Sequence, residues 1–201
     1  MPSRTAVERA LEERLSPARA AHVRRVAQEA VALAQRFGLP PDAALWAGLL
    51  HDWYKEVPTA DLVRLAREAG VIAPEVPDAA IMVGTLHGPV AARLLPRQWP
   101  ELPPSVLDAI DRHTTGDPQM SDLDCVVYVA DLIEPERRFA GVEQLRELAT
   151  RDLYAATLSG MTATLQDLLR RGRRIDPRAV LARNAMVVRL AGSGGGASDP
   201  R

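Results

Sequence analysis

His51 and Asp52 follow directly on Ala43-Ala44-Leu45-Trp46-Ala47-Gly48-Leu49-Leu50, a stretch with no polar face. A helix that is apolar all round is a buried helix, which puts the pair near the C-terminal end of a buried element. A buried carboxylate without partners is costly, and the C-terminal end of a helix is the negative end of its macrodipole. A metal cation at Asp52 resolves both problems. Asp131 repeats the situation inside Leu123-Asp-Cys-Val-Val-Tyr-Val-Ala-Asp-Leu-Ile133, where it lies between apolar neighbours.

The chain has four histidines. His22 stands one turn before Val26 and borders the apolar stripe of its helix. His113 follows Val106 and Ile110 on one side of another helix, and His87 precedes Gly88-Pro89 at a helix entry. Each alone reads more simply as a hydrogen-bonded core residue. Together they change the balance, because none lies on an evidently solvated face. Four imidazoles and two carboxylates from five segments make a nitrogen/oxygen cluster without sulfur, suited to Fe, Mn, Co or Zn. Six ligands exceed the four of a structural zinc, and two metals sharing a carboxylate would use them efficiently.

The elements that must position these residues are helical nearly throughout. Ser16-Pro17 starts a helix that carries Val23, Val26, Ala27, Ala30, Ala34 and Phe37 at three- and four-residue steps and stops at Gly38. Further helices are expected over Pro41–Tyr54, from a Thr59 cap to Gly70, over Pro89–Leu95, over Ser105–His113 and from a Ser121 cap to Ile133. Val142–Thr150, Leu153–Arg171 and Pro177–Leu190 complete the set. With no alternating run, the expected fold class is all-α, a single helical bundle with no significant sheet. Residues 1–15 read as an N-terminal helical extension, 16–190 as one domain and 191–201 as a disordered Gly/Ser-rich tail.

Composition narrows the function. A chain of 201 residues, 47% hydrophobic, supports one sizeable core. A net charge of −1 excludes nucleic-acid binding through bulk charge. One cysteine, Cys125, excludes an intrachain disulfide and a Cys-rich zinc site; in its apolar run it reads as a buried thiol. Met1–Ser16 lacks the apolar core of a signal peptide, and no stretch approaches ~18 apolar residues. The expectation is a cytoplasmic protein with no membrane or nucleic-acid partner.

The order His22…His51-Asp52…His87…His113…Asp131 resembles the HD-domain superfamily of phosphohydrolases. Ala47–Asp52, Leu86-His87-Gly88-Pro89-Val90-Ala91-Ala92, Arg112-His113-Thr114-Thr115-Gly116, Met120–Asp124, Ala130–Arg137 and Ala182-Arg183-Asn184 look like the YqeK family, hydrolases of symmetrical dinucleoside tetraphosphates. Two positions depart from that family, Tyr54 where a small residue is usual and Asp117 where a basic one is common. The resemblance implies two metals, iron above Mn or Co. His22, His51, Asp52 and Asp131 would hold one, and His87, His113 and the bridging Asp52 the other. It implies cleavage of diadenosine tetraphosphate into two ADP.

The expected chemistry is metal-assisted hydrolysis, with a water of lowered pKa attacking phosphorus. Asp52 and Lys55 are the candidate catalytic residues. Lys55 is the only lysine among 25 Lys and Arg residues and stands three residues after Asp52; a solvated lysine at a helix end is its plain alternative. Arg137 is a candidate phosphate contact or a surface arginine. Thr114, Thr115 and Gly116 offer donors to substrate or form an ordinary turn. Trp53 and Phe139 read as core residues before base-stacking ones. The competing functions are another HD phosphohydrolase (for a nucleoside monophosphate, a dNTP or a guanosine alarmone), a non-catalytic nucleotide sensor, and a bundle around a structural zinc. The amphipathic Arg4–Leu15 segment packs either on its own domain or in a homodimer.

Overall fold

The computed structural model describes residues 1–77 and 82–193. Among them are ten α-helices, one 3-10 turn (Val83–Thr85) and no strand. The helices are α1 Arg4–Arg14, α2 Pro17–Arg36, α3 Pro41–Leu50, α4 Thr59–Glu68 and α5 His87–Gln98, then α6 Pro104–Arg112, α7 Asp122–Ile133, α8 Val142–Ala149, α9 Leu153–Arg170 and α10 Pro177–Ser193. The fold is all-α, as the periodicity requires.

The starts of the helices follow from side-chain chemistry. Ser16 caps α2 by accepting from the Arg19 amide, with Pro17 at the first helical position. Ser121 and Asp124 form a reciprocal capping box at α7. Several boundaries differ from the sequence expectation, most by a residue or two. Thr59 is the first residue of α4 and caps nothing. α3 stops at Leu50, so Tyr54 lies in a following turn. α5 begins at His87 rather than Pro89 and runs through Pro96 to Gln98; the buried Leu94, Leu95 and Trp99 hold its last turn on the core against the proline's missing donor. α10 takes in Ala191, Gly192 and Ser193, and the rest of the expected tail lies outside the described residues.

The core is built around α2, α3, α6 and α7. α2 packs most extensively on α3, and a glycine sets how closely. A Cβ on Gly48 would stand 2.6 Å from the Ala27 Cα, a backbone atom that cannot rotate away. Gly88 does the same for α5 against α6, where a Cβ would meet the Ile110 carbonyl oxygen at 2.7 Å. These two approaches bring the helices bearing His22, His51, His87 and His113 together. α1 packs on its own domain: Val7, Leu11 and Leu15 are buried in one cluster with Leu50 and Trp53.

Gly48→Ala forces α2 and α3 apart. It is expected to destabilise the fold by about 1–3 kcal/mol, the usual cost of overpacking, read as a lower midpoint in urea unfolding. The variant should also hold a divalent ion less tightly, because His22 on α2 moves away from His51 and Asp52, which follow α3.

Candidate metal centre

The six residues singled out by type and spacing converge on one point. Asp52 is at its centre, 3% exposed. Its Oδ2 lies 3.5 Å from His51 Nε2 and 3.7 Å from His22 Nε2. Its Oδ1 lies 3.2 Å from His87 Nε2 and 3.7 Å from His113 Nε2. Asp131 Oδ1 closes the first side, 3.1 Å from His22 Nε2 and 4.0 Å from His51 Nε2. On the second side His87 Nε2 and His113 Nε2 are 3.0 Å apart. One carboxylate therefore faces two histidines with each oxygen. Asp131 is only half-buried, at the rim, where a fully buried residue was expected.

The rings are aimed from behind. His51 and His113 are the C-cap residues of α3 and α6. The last carbonyls of a helix lack intrahelical partners, and each ring takes one: His51 Nδ1 meets the Gly48 oxygen at 2.8 Å and His113 Nδ1 meets the Ile110 oxygen at 2.7 Å. A carbonyl only accepts, so Nδ1 carries a proton, and whenever the ring is neutral its lone pair is on Nε2, facing Asp52. His22 Nδ1 is held in the same way by the Glu134 carboxylate, at 3.2 Å. The Nε2 atoms of His22 and His51 are buried and make no hydrogen bond. Orphaned, inward-facing imidazole nitrogens with their other nitrogen pinned are what a metal site supplies, and the donor set fits a divalent ion.

Charge points the same way. Burial pushes the Asp52 carboxyl up, and His51, His113 and His87 outweigh it, holding it well below the carboxylate range. Burial likewise opposes ionisation of Asp131, and His22, His51 and Arg137 overcome it. Burial pulls His51 down, but Asp52 and Asp131 raise it by more. His87 is pulled to about 3, first by burial and then by His113 and Lys55 against the pull of Asp52, and is neutral near pH 7. Two ionised carboxylates, Asp52 buried and Asp131 at the rim, favour positive charge at the point where the nitrogens meet.

Four side chains that are not ligands edge the cluster. Lys55 Nζ is 3.3 Å from His87 Nε2 and 3.9 Å from Asp52 Oδ1, so its ammonium reaches the cluster although 36% of the side chain is exposed. The Thr114 hydroxyl lies 2.9 Å from His113 Nε2 and 3.2 Å from His87 Nε2. Arg137 donates to the Asp131 carboxylate through Nη2 and to its carbonyl through Nε at 2.7 Å. Arg19, missed in the sequence, donates to Asp52 Oδ2 at 2.8 Å, and its Nε is buried without a hydrogen-bond partner. The signal for it was its position three residues before His22, on the same helix face.

Other candidates are placed elsewhere. The Thr115 hydroxyl is spent on the Gly116 carbonyl and the Gly116 amide on the Arg112 carbonyl. Gly116 has φ +69° and packs against Met161 and Ala182. Trp53 is buried, edge-on to Trp99. Phe139, expected in the core, is 38% exposed, because it sits in the surface turn after α7 rather than on a helix face. Cys125 is fully buried, and burial pushes its thiol up to about 12. Glu134 was also missed as a supporting residue. It is clamped by Arg25 at 2.6 Å, and Arg146 holds its turn by donating to the carbonyls of Ile133, Glu134 and Arg137.

Residues 19–136 match the family model described as HD domain. A protein from Bacillus subtilis (strain 168), "Bis(5'-nucleosyl)-tetraphosphatase, symmetrical", is 33% identical over 88% of this chain and 94% of its own length. A protein of the same name from Halalkalibacterium halodurans is 31% identical over 83% of this chain and 88% of its own. A solved structure from Clostridium acetobutylicum, described as a predicted HD superfamily hydrolase involved in NAD metabolism, superimposes with a TM-score of 0.87 at 33% identity, covering 94% of this chain and 99% of that one.

The support behind His22 has a pH signature. Burial raises Glu134, but Arg25, the Glu136 amide and His22 bring it down to about 2, against an ordinary value of 4.5. A depressed carboxyl contributes stability that is complete above its unfolded pKa and is lost as pH falls through its folded one. The stability gap between wild type and Glu134→Gln, measured by urea unfolding of chelator-treated protein, should therefore be full above about pH 4.5 and narrow toward pH 2. A gap that stays constant over that window would show that the carboxylate charge contributes nothing.

Proposed function

The chain belongs to the HD-domain family, and on that premise we propose that it hydrolyses symmetrical dinucleoside tetraphosphates, diadenosine tetraphosphate foremost, to two nucleoside diphosphates. The observation that carries the reading is the two-sided Asp52 carboxylate, with His22 and His51 on one oxygen and His87 and His113 on the other. His22, His51, Asp131 and Asp52 would hold one divalent metal, and His87, His113 and Asp52 a second. Iron suits this nitrogen/oxygen set, as do manganese and cobalt. When bound, such ions lower the pKa of a water and offset charge on phosphoryl oxygens. The substrate comes from the curated relatives, which carry the symmetrical tetraphosphatase name along most of the chain.

The chain's own residues account for the rest. Asp52 would be the shared ligand, so neither side is complete without it. Lys55 flanks the His87 side, while Arg19 and Arg137 flank the Asp52 Oδ2 and Asp131 side. A polyphosphate laid across the cluster would thus meet a cation at each end. Arginine suits the end that needs two-pronged contact with phosphate oxygens. The Lys55 ammonium serves as a point charge for the oxygens that become more negative as the bond breaks. The Thr114 hydroxyl supplies a neutral donor beside His113. Thr115 and Gly116 would act only by shaping the turn that carries Thr114.

Two measurements test this. Elemental analysis of protein purified with Fe, Mn or Co should find two ions per chain in wild type, one in His87→Ala and fewer than one in Asp52→Ala; a single ion in wild type, unaffected by His87→Ala, would remove the second site. Incubation with diadenosine tetraphosphate and separation of products should give ADP alone. ATP plus AMP, or turnover only of a mononucleotide, would overturn the substrate.

A further inference from the structure

Lys55 does not stand on a helix. It belongs to the turn between α3 and α4, which closes only short-range backbone bonds: Trp53 N to Leu50 O at 3.1 Å, Lys55 N to Asp52 O at 2.9 Å and Val57 N to Tyr54 O at 3.4 Å. A long side chain on such a turn is placed only as well as the turn is held. The hold comes from the N-terminal helix. Arg14, the last residue of α1, donates Nε–H to the Trp53 carbonyl at 2.6 Å. Its guanidinium carbon stands over the Tyr54 ring, 4.4 Å from the centroid, and 5.1 Å from that of Trp53. Two residues on, Ser16 gives both its amide and its hydroxyl to the Glu56 carboxylate, at 2.7 Å each. The residues on either side of Lys55 are therefore tied to one stretch, Arg14–Ser16. α1 is itself anchored, with Val7 and Leu11 fully buried.

We propose that Arg14 is a positioning residue: through the Trp53 carbonyl and the Tyr54 ring it fixes the turn from which Lys55 reaches the cluster. Arg14 touches none of the six ligands, so its effect passes through Lys55, and the catalytic part of the inference rests on the reading of Lys55 given above. Arginine meets both demands at once, since its planar guanidinium stacks on a ring while an edge N–H donates. A lysine or methionine there keeps the bulk of the stem and loses the fixed donor.

The test compares Arg14→Met with wild type in the full chain, alone and combined with Lys55→Met. Hydrogen exchange followed by mass spectrometry should show the segment covering residues 51–57 exchanging about tenfold faster in Arg14→Met, with the α7 segment 122–133 unchanged. Bound metal should stay at the wild-type level. In hydrolysis, Arg14→Met should lower kcat/KM about tenfold when Lys55 is present and less than about twofold when Lys55 is already methionine, the non-additivity of two residues acting as one unit. Unchanged exchange at 51–57, faster exchange everywhere, or an equal loss in both backgrounds would overturn the proposal. If wild type fails to cleave the tetraphosphate, that failure falls on the proposed substrate, and the segment-specific exchange still decides whether Arg14 holds the turn.

Discussion

A carboxylate placed where a protein can least afford one organises this molecule. Asp52 is almost fully buried, just past the C-terminal end of an apolar helix. Its ionised form is sustained against burial by the histidines around it. Those histidines come from α2, the α3 end, the α5 start and the α6 end, so the helices must meet at one point. The two glycine approaches, Gly48 on Ala27 and Gly88 on Ile110, make that meeting possible. Packing and the geometry of the cluster are linked here: the close helix approaches accompany four ring nitrogens that lie 3.2 to 3.7 Å from one carboxylate.

Around that centre the protein spends its orphaned helix ends. The unpaired carbonyls of Gly48 and Ile110 fix the His51 and His113 rings, and Glu134, just past α7, fixes His22. Each supporting contact costs the fold little, since terminal carbonyls need a donor in any case. Each also settles which nitrogen faces inward. The supports are themselves supported: Arg25 and Arg146 hold the Glu134 turn, and Arg112, paired with the buried Asp124, joins the end of α6 to the start of α7. The cations that edge the site are less constrained. Lys55 and Arg137 stand on turns: Arg14 and Ser16 contact the first, while Arg146 holds the second and Asp131 takes the Arg137 side chain.

Much of this was legible in the amino-acid order. The all-α class followed from periodicity over nearly the whole chain, and Ser16 and Ser121 announced their caps. Asp52 followed from the cost of burying a charge; the same argument picked out Asp131, which stands at the rim, half-buried, rather than inside the core. Less was legible where a local signal competed with packing. Pro96 reads as a helix end, yet α5 passes through it because the buried residues beyond keep the last turn on the core. Phe139 reads as core because it is aromatic, but the turn after α7 leaves it at the surface. Thr115 and Gly116 read as equal to Thr114, and only their hydrogen bonds separate them.

The sequence by itself determined the helical class, the six residues able to bind metal and the superfamily that shares their order, because residue type and short-range spacing carry that information. Tertiary structure decided how those six divide around Asp52, which ring nitrogen each histidine presents, and that Arg19, Glu134 and Arg14 belong to the site's surroundings. The His51 and His113 rings are set by carbonyls three residues back, but the rest depends on contacts far apart in the chain, such as Arg19 with Asp52, 33 positions apart, and His22 with Glu134, 112 apart. No local pattern records such pairs; they exist only once the packed helices have fixed which carbonyl, carboxylate or ring stands opposite each donor.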